Sequence, residues 1–510
     1  MKQRKVFSRS LLILLTVFAL LLSALPSAAF ASGEGIPDPS IDRSITIHKY
    51  RMDDITEAEV RCDGTEQDVP ESAVPLEDVQ FKITKMQDNN TEAVDTSWTP
   101  VTLTTDATGT ATISGNSKLP QGVYLVQEID NPAVDIKAED CLVSLPLTNP
   151  AGDGWIYDVH VYPKNQLKPG PEIDKFITQL DNKHDTCDIS QENTWIIETT
   201  MPDDMATCDV YEIKDQLDER LDFVSGSVVM YRVDESGNRV EMSSDCYHLD
   251  EPSTINDRTM TITLNDKGKT EAAKSLGEID KPTTYSLGED LNVATIQVEF
   301  RTVLNSNAEE TMGEPIYNGA TLDYTNNLHV KYETDKVEEE PETHTGGLNL
   351  TKVDSTDSAK VLPGAKFKIY RSEADANKGI NAVKDPTDHA KDWEVTTDAS
   401  GNAHFYGLEY GNMGEAWNEA STTTYWLVET QAPQDVDGVD YQLSKKPFAV
   451  HVNATSHMDM NKVTITNVPK YDLPFTGAQG TYTMIGLGVI CIVAAGVLIT
   501  LRVRKNHKAE

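Results

Sequence analysis

Along most of the chain, short runs rich in Thr, Val, Ile and Tyr alternate apolar and polar positions, separated by turn residues such as Asp106-Ala107-Thr108-Gly109 and Asp398-Ala399-Ser400-Gly401. A period of two predicts strands with one buried face, and strands at this spacing predict all-β sandwiches. Helical period is rare, its best stretch running from Thr270 to Leu276. Two seams interrupt the pattern. Lys168-Pro169-Gly170-Pro171 is stiff and turn-rich; Val337-Glu338-Glu339-Glu340-Pro341-Glu342, followed by Gly346-Gly347, reads as a charged linker. They divide the chain into expected domains at 33–167, 172–336 and 347–470.

Three lysines break the alternation in the same way. Lys352 falls on the face of Leu348 and Leu350, Lys175 on that of Ile173 and Ile177, and Lys49 on that of Ile45 and Ile47. An amine aimed into an apolar interior is costly unless it is paired or used. Each expected domain also aims an acid and an amide inward by the same arithmetic. These are Glu429 (with Tyr425 and Leu427) and Asn467 (with Val463 and Ile465); Asp215 (with Ile213 and Leu217) and Asn318 (with Ile316 and Ala320); and Glu128 (with Tyr124 and Val126) and Asn165 (with Val159 and Val161). Burial lowers the pKa of a lysine and raises that of an acid, giving a neutral amine beside a proton shuttle. Such an amine can attack the asparagine carbonyl, expel ammonia and leave a Lys–Asn amide; a buried ion pair with a nearby amide is the alternative.

The two ends carry a different pattern. Lys2, Arg4, Lys5 and Arg9 precede an apolar run from Leu11 to Leu25, and Ala29-Phe30-Ala31 completes a signal peptide expected over 1–31. At the other end residues 484–501 are apolar or small, long enough for an expected transmembrane helix, and Arg502, Arg504, Lys505 and Lys508 follow. The positive-inside rule then places the body outside the cell. That body holds 36 basic and 81 acidic residues, a net charge of about −45. Such a balance excludes nucleic acid as a partner.

Outside the cell, Cys62 and Cys141 are candidates for a disulfide. Of Cys187, Cys208 and Cys246, which cannot all pair, one bridge and one buried thiol are expected. No pair has zinc-site spacing, and no metal or other cofactor is expected. Asp435, Asp437 and Asp440 around Gly438 lack the full calcium-loop pattern and read as a solvated loop.

Four stretches resemble a known family. Leu473-Pro474-Phe475-Thr476-Gly477, then an apolar segment and a basic tail, resembles the sorting signal of Gram-positive surface proteins, which implies sortase cleavage after Thr476. Tyr425-x-Leu427-x-Glu429-Thr430-x-Ala432-Pro433 resembles the E-box of Cna B-type pilin domains, although Gln434 to Asp440 intervene before Tyr441. The segment from Ile213 through Leu221 and Phe223 resembles the aspartate-bearing strand of Cna A-like domains. Trp155, Val159, Val161, Tyr162, Pro163 and Lys164 resemble the pilin motif, with Trp155, Tyr157, Val159 and Val161 expected to face the core and His160, Tyr162 and Lys164 to face out.

Together these resemble the major pilins of sortase-assembled Gram-positive pili, of the three-domain actinobacterial kind. The resemblance implies three tandem immunoglobulin-like sandwiches of Cna A and Cna B type. It implies isopeptide bonds Lys352–Asn467 promoted by Glu429 and Lys175–Asn318 promoted by Asp215, with Lys49, Asn165 and Glu128 as a further candidate set. It also implies a link from Lys164 of one copy to Thr476 of another. The implied partners are a pilus-specific sortase, a housekeeping sortase with peptidoglycan, other copies of the chain, minor or tip pilins and a host ligand, on a pilus anchored in the cell wall. The alternative within this class is a monomeric wall-anchored adhesin or minor pilin, with Lys164 idle. An exported hydrolase is a rival from another class, but no Gly-x-Ser-x-Gly, His-Glu-x-x-His or phosphate loop is present. Isopeptide formation is a single turnover, so no enzyme is expected.

Overall fold

In a computed structural model of the chain, residues 36–470 are described apart from 53–62, 89, 235, 275–292 and 435–436, together with six helical positions between 485 and 493. The expected signal peptide, the sorting signal, Cys62 and Asp435 lie outside the described residues, as does most of the expected membrane helix. Among the described residues no helix is long and apolar enough to cross a membrane.

The first core lies between two small sheets. In one, strand Ser44–His48 runs parallel to Asp158–Val161 and antiparallel to Thr110–Ser114. In the other, Gln80–Gln87 lies between Val101–Thr104 and Gly122–Glu128, with Cys141–Leu145 beyond. Ile45, Ile47, Phe81, Ile83, Tyr124, Val126, Val159 and Val161 fill the gap, as the alternation requires.

The third core repeats this plan. Strand Gly346–Asp354 runs parallel to Val463–Asn467 and antiparallel to Asn402–Leu408. Opposite it, Lys366–Tyr370 lies between Glu394–Thr396 and Thr423–Gln431, with Phe448–Val452 at the edge. The middle core is larger. One of its sheets is ordered Ile173–Ile177, Glu192–Thr200, Val293–Leu304, Val229–Asp234, Arg239–Glu241; the other is ordered Tyr247–Asp250, Thr259–Leu264, Val210–Gln216, Thr321–Thr325, Asp335–Lys336. The helical stretch expected at Thr270–Leu276 begins earlier, as an α-helix over Asp266–Ala272 whose Asn265 side chain accepts from the Gly268 amide.

The second seam is not an open linker. Residues 341–348 are buried, and Glu342–His344 pairs in parallel with His184–Thr186 and antiparallel with Ile316–Tyr317. The Glu342 carboxylate is enclosed by His184 Nδ1 at 3.2 Å, His344 Nδ1 at 3.1 Å and the Trp417 amide at 3.1 Å. Glu338, Glu339 and Glu340 are exposed as a charged linker would have them, but the Glu342 charge is satisfied internally, so the segment from 341 on joins the middle and third cores as a shared strand. At the first seam a loop of the middle unit reaches back: Leu328 is buried in the first core, and His329 bridges Asp78 at 2.9 Å and Asp209 at 2.5 Å.

Candidate functional site

Each of the three inward lysines meets its acid in a fully buried setting. In the third unit, Lys352 Nζ donates to Asn467 Oδ1 at 2.6 Å, and Asn467 Nδ2 donates to Glu429 Oε1 at 2.8 Å. The other carboxylate oxygen accepts from the Ser444 amide at 2.7 Å. Burial pulls Lys352 down to about 8, against the attraction of Glu429, and pushes Glu429 above the usual carboxylate range. The two proton affinities thus approach each other, which makes the tautomer with a neutral amine and a neutral acid accessible. The parallel pairing of Gly346–Asp354 with Val463–Asn467 is what brings the two ends of this unit side by side.

The first unit carries the same constellation. Lys49 Nζ donates to Asn165 Oδ1 at 2.5 Å and to Glu128 Oε2 at 2.6 Å, and Asn165 Nδ2 donates to Glu128 Oε1. Burial likewise lowers Lys49 to about 8. In the middle unit Lys175 Nζ is bonded to Asp215 and donates to the Gly319 carbonyl at 3.1 Å. It lies 5.1 Å from the ring centroids of both Trp195 and Phe300. Burial lowers Lys175 to about 8 and raises Asp215. Asn318 is buried here with neither Oδ1 nor Nδ2 hydrogen-bonded, and Asp215 Oδ1 also lacks a partner. Each such orphan costs about 1–3 kcal/mol.

The likeness of the first and third units extends to their backbone. The Lys49 amide donates to Gly109 O and the Lys352 amide to Gly401 O, both at 2.7 Å. Both glycines have φ of +72°, and a Cβ on them would sit 2.3 Å from Lys49 O and 2.7 Å from Lys352 O. Thr105 Oγ1 donates to Leu76 O and Thr397 Oγ1 to Leu362 O. Residue-by-residue reading of faces misses this internal repeat, yet the sequence carries its signal: Thr104-Thr-Asp-Ala-Thr-Gly-Thr-Ala111 recurs as Thr396-Thr-Asp-Ala-Ser-Gly-Asn-Ala403.

The stretch before the first seam departs from its expected faces. Val159 and Val161 are buried as expected, but Tyr162 is buried too, only 6% exposed. Its ring stacks on His48 and its hydroxyl accepts from the Gln67 amide at 2.8 Å, because the segment around 64–67 covers what alternation left as an outer face. His160 is half-buried for the same reason, its amide bonded to Gly64 O. Trp155 and Tyr157, expected in the core, are half-buried; Trp155 lies on a two-stranded ribbon with Leu147–Thr148. Lys164 is half-buried, not openly displayed. It begins strand Lys164–Leu167, next to Asn165 and Pro163, and lines a groove of about 580 Å³ with Leu142, Val143, Leu147, Val161 and Glu139.

The bridge expected among Cys187, Cys208 and Cys246 does not form; all three are buried free thiols. Cys187 accepts from Asn193 Nδ2 at 3.1 Å, and the Cys208 thiol donates to Met205 O at 3.4 Å, so these two are held by local partners. Burial pushes both up to about 12 and leaves them unreactive.

A family model of the Gram-positive pilin subunit D1, N-terminal domain, matches residues 41–166, and one of a prealbumin-like fold domain matches residues 346–414. The two matches fall on the first and third units, on either side of the middle core. The chain is 26% identical to a type 1 fimbrial subunit of Actinomyces viscosus, over 93% of its own length and 92% of that protein. It is also 26% identical to a type 2 fimbrial subunit of Actinomyces naeslundii, over 79% of its length and 73% of that protein. Among solved structures, the full-length major pilin SpaD of Corynebacterium diphtheriae is 24% identical, with 86% of this chain and 99% of that one covered and a TM-score of 0.41. The chain is thus similar to fimbrial subunits over nearly its whole length, and its first unit matches the Gram-positive pilin N-terminal domain.

Proposed function

We propose that the chain is the shaft subunit of a covalent pilus, polymerised head to tail by a pilus-specific sortase and finally joined to peptidoglycan by a housekeeping sortase. The sortase cuts after Thr476 and holds its carbonyl as an acyl-enzyme; Lys164 Nζ of another copy attacks that carbonyl and releases the enzyme thiol. One electrophile and one nucleophile per copy give an open-ended chain. The observation that carries this reading is the place of Lys164: a half-buried amine at the wall of an apolar groove, a setting able to receive the side chains of Leu473 and Phe475. Minor or tip pilins and a host ligand complete the partners.

Three internal bonds, one in each of the three domains, complete the proposal. In the third domain the neutral Lys352 Nζ attacks Asn467 Cγ, its proton passes to Glu429, and the acid returns a proton to Nδ2, which leaves as ammonia. Lys175 with Asn318 and Asp215, and Lys49 with Asn165 and Glu128, react alike. In the middle domain the reaction removes the buried NH2 that lacks a partner. A boiled, reduced cell-wall extract on a denaturing gel tests the shaft: a high-mass ladder that collapses in Lys164→Ala, with the subunit still displayed, is the expected result. A single monomer band from the native strain would instead make the chain a wall-anchored adhesin.

A further inference from the structure

Among the three lysine sites, the first differs in one donor. Asn165 Oδ1 accepts not only from Lys49 but also from the backbone amide of Ala138, at 3.0 Å. That amide is delivered by the strand Val134–Ile136, which pairs with Lys164–Leu167 through an irregular register. Residue 138 lies just past the pairing, so its N–H goes to the asparagine side chain. In the third unit the Ser444 amide goes instead to Glu429 Oε2, and Asn318 Oδ1 in the middle unit accepts nothing.

This difference matters at the moment of reaction. While Lys49 Nζ is a free amine or ammonium it donates to Oδ1. Once it bonds to Cγ, negative charge moves onto Oδ1 and that donor is lost as such. A fixed backbone N–H already on Oδ1 needs no reorganisation to hold the charge.

We propose that the Ala138 amide is the oxyanion donor for Lys49–Asn165 bond formation, a catalytic group of the first domain with no counterpart among the described residues of the other two. The proposal rests on the reading that this bond forms. Its balance is simple: the Nζ–Cγ bond forms, the Cγ–Nδ2 bond breaks, the lysine proton travels through Glu128 to Nδ2, and ammonia departs.

The test replaces the peptide amide at 138 by an ester, through nonsense suppression with the α-hydroxy analogue of alanine in cell-free synthesis of the full chain. Lys49–Asn165 and Lys352–Asn467 cross-linked peptides are then quantified over time by mass spectrometry, the second serving as an internal clock. The ester is expected to slow the first bond about 100-fold relative to the second. The same ester at Ala151, whose amide caps Asn149 Oδ1 in an exposed turn, is expected to react at the native rate. Ala138→Pro, which removes the N–H by another route, is expected to match the ester, and proteolysis verifies that the first domain is folded in each. An unchanged rate in the folded ester variant at 138, or equal slowing by the ester at Ala151, overturns the proposal. Absence of the Lys49–Asn165 peptide from the native chain, with Lys352–Asn467 present, removes instead the bond on which it stands.

Discussion

Replacing Glu429 by Gln keeps the size and most of the hydrogen bonding of the third site while removing its proton shuttle. The expected result is a folded domain that retains its ammonia. Lys352 and Asn467 are 115 residues apart, and a cross-link over that span removes enough unfolded-chain entropy to stabilise by about 4.8 kcal/mol. For a domain of this size that corresponds to about 15–25 °C in Tm. The unreacted variant also keeps an amine with a lowered pKa in its core, which adds to the loss in the same direction. Intact mass reports the bond and calorimetry its worth. Two results would refute the reasoning: Glu429→Gln losing the same ammonia as the native chain, or a cleanly uncross-linked variant melting within a few degrees of it. The first removes the acid from the mechanism, and the second removes the bond from the stability of the domain.

Bond formation in freshly folded chain should slow as pH rises above about 8, because the Lys352–Glu429 pair then loses the last proton it shares and no acid remains to protonate Nδ2; it should also slow in acid, where Lys352 stays charged, and a pH–rate profile by mass spectrometry reads both limbs. Glu342→Ala strips the acceptor from two imidazoles and the Trp417 amide at the shared strand and should cost about 3 kcal/mol by denaturant titration. Gly401→Ala puts a Cβ 2.7 Å from Lys352 O at φ +72°, so the Lys352–Asn467 yield should fall, with Asp398→Asn as a milder control on the same turn. Pulling a single subunit between Lys164 and its C-terminus should extend only its unlinked segments; Glu429→Gln should release about 400 Å more as the 115 residues between Lys352 and Asn467 straighten.

Strand alternation put the three lysines, three acids and three asparagines in the interior, where they are buried, because each shares a face with residues that have nowhere else to go. Lys352 is buried beside Leu348 and Leu350, and Asp215 beside Ile213, as a period of two demands. The same rule failed where a second layer lies outside the sandwich. Tyr162 follows the strand Asp158–Val161 on what alternation makes the outer side, but the segment near Gln67 and the ring of His48 cover it, and no local pattern announces a cover drawn from 95 residues away. The acidic seam failed for a related reason. Glu342 reads as solvated until its two histidines and the Trp417 amide are brought to it by the fold. Free thiols were illegible because each middle-unit cysteine is satisfied within its own surroundings, and parity of count says nothing about distance.

The arrangement of the three sites along the chain bears on what each bond does under load. If tension enters at Lys164 and leaves at Thr476, the middle and third domains lie wholly between those points. Lys175 stands two residues inside the first strand of its unit and Lys352 and Asn467 sit on adjacent parallel strands, so in both domains a Lys–Asn bond shunts force past the hydrophobic core. The first domain is placed differently. Lys164 follows nearly all of it, leaving only the strand Lys164–Leu167 on the loaded path, and its Lys49–Asn165 pair attaches to that strand one residue from the point of entry. A bond there does not carry the pull between subunits; it ties the body of the first domain, and the groove that Lys164 lines, to the strand being pulled. On the proposed bonds, the same chemistry would serve two mechanical ends, decided by where the chain enters and leaves each sandwich.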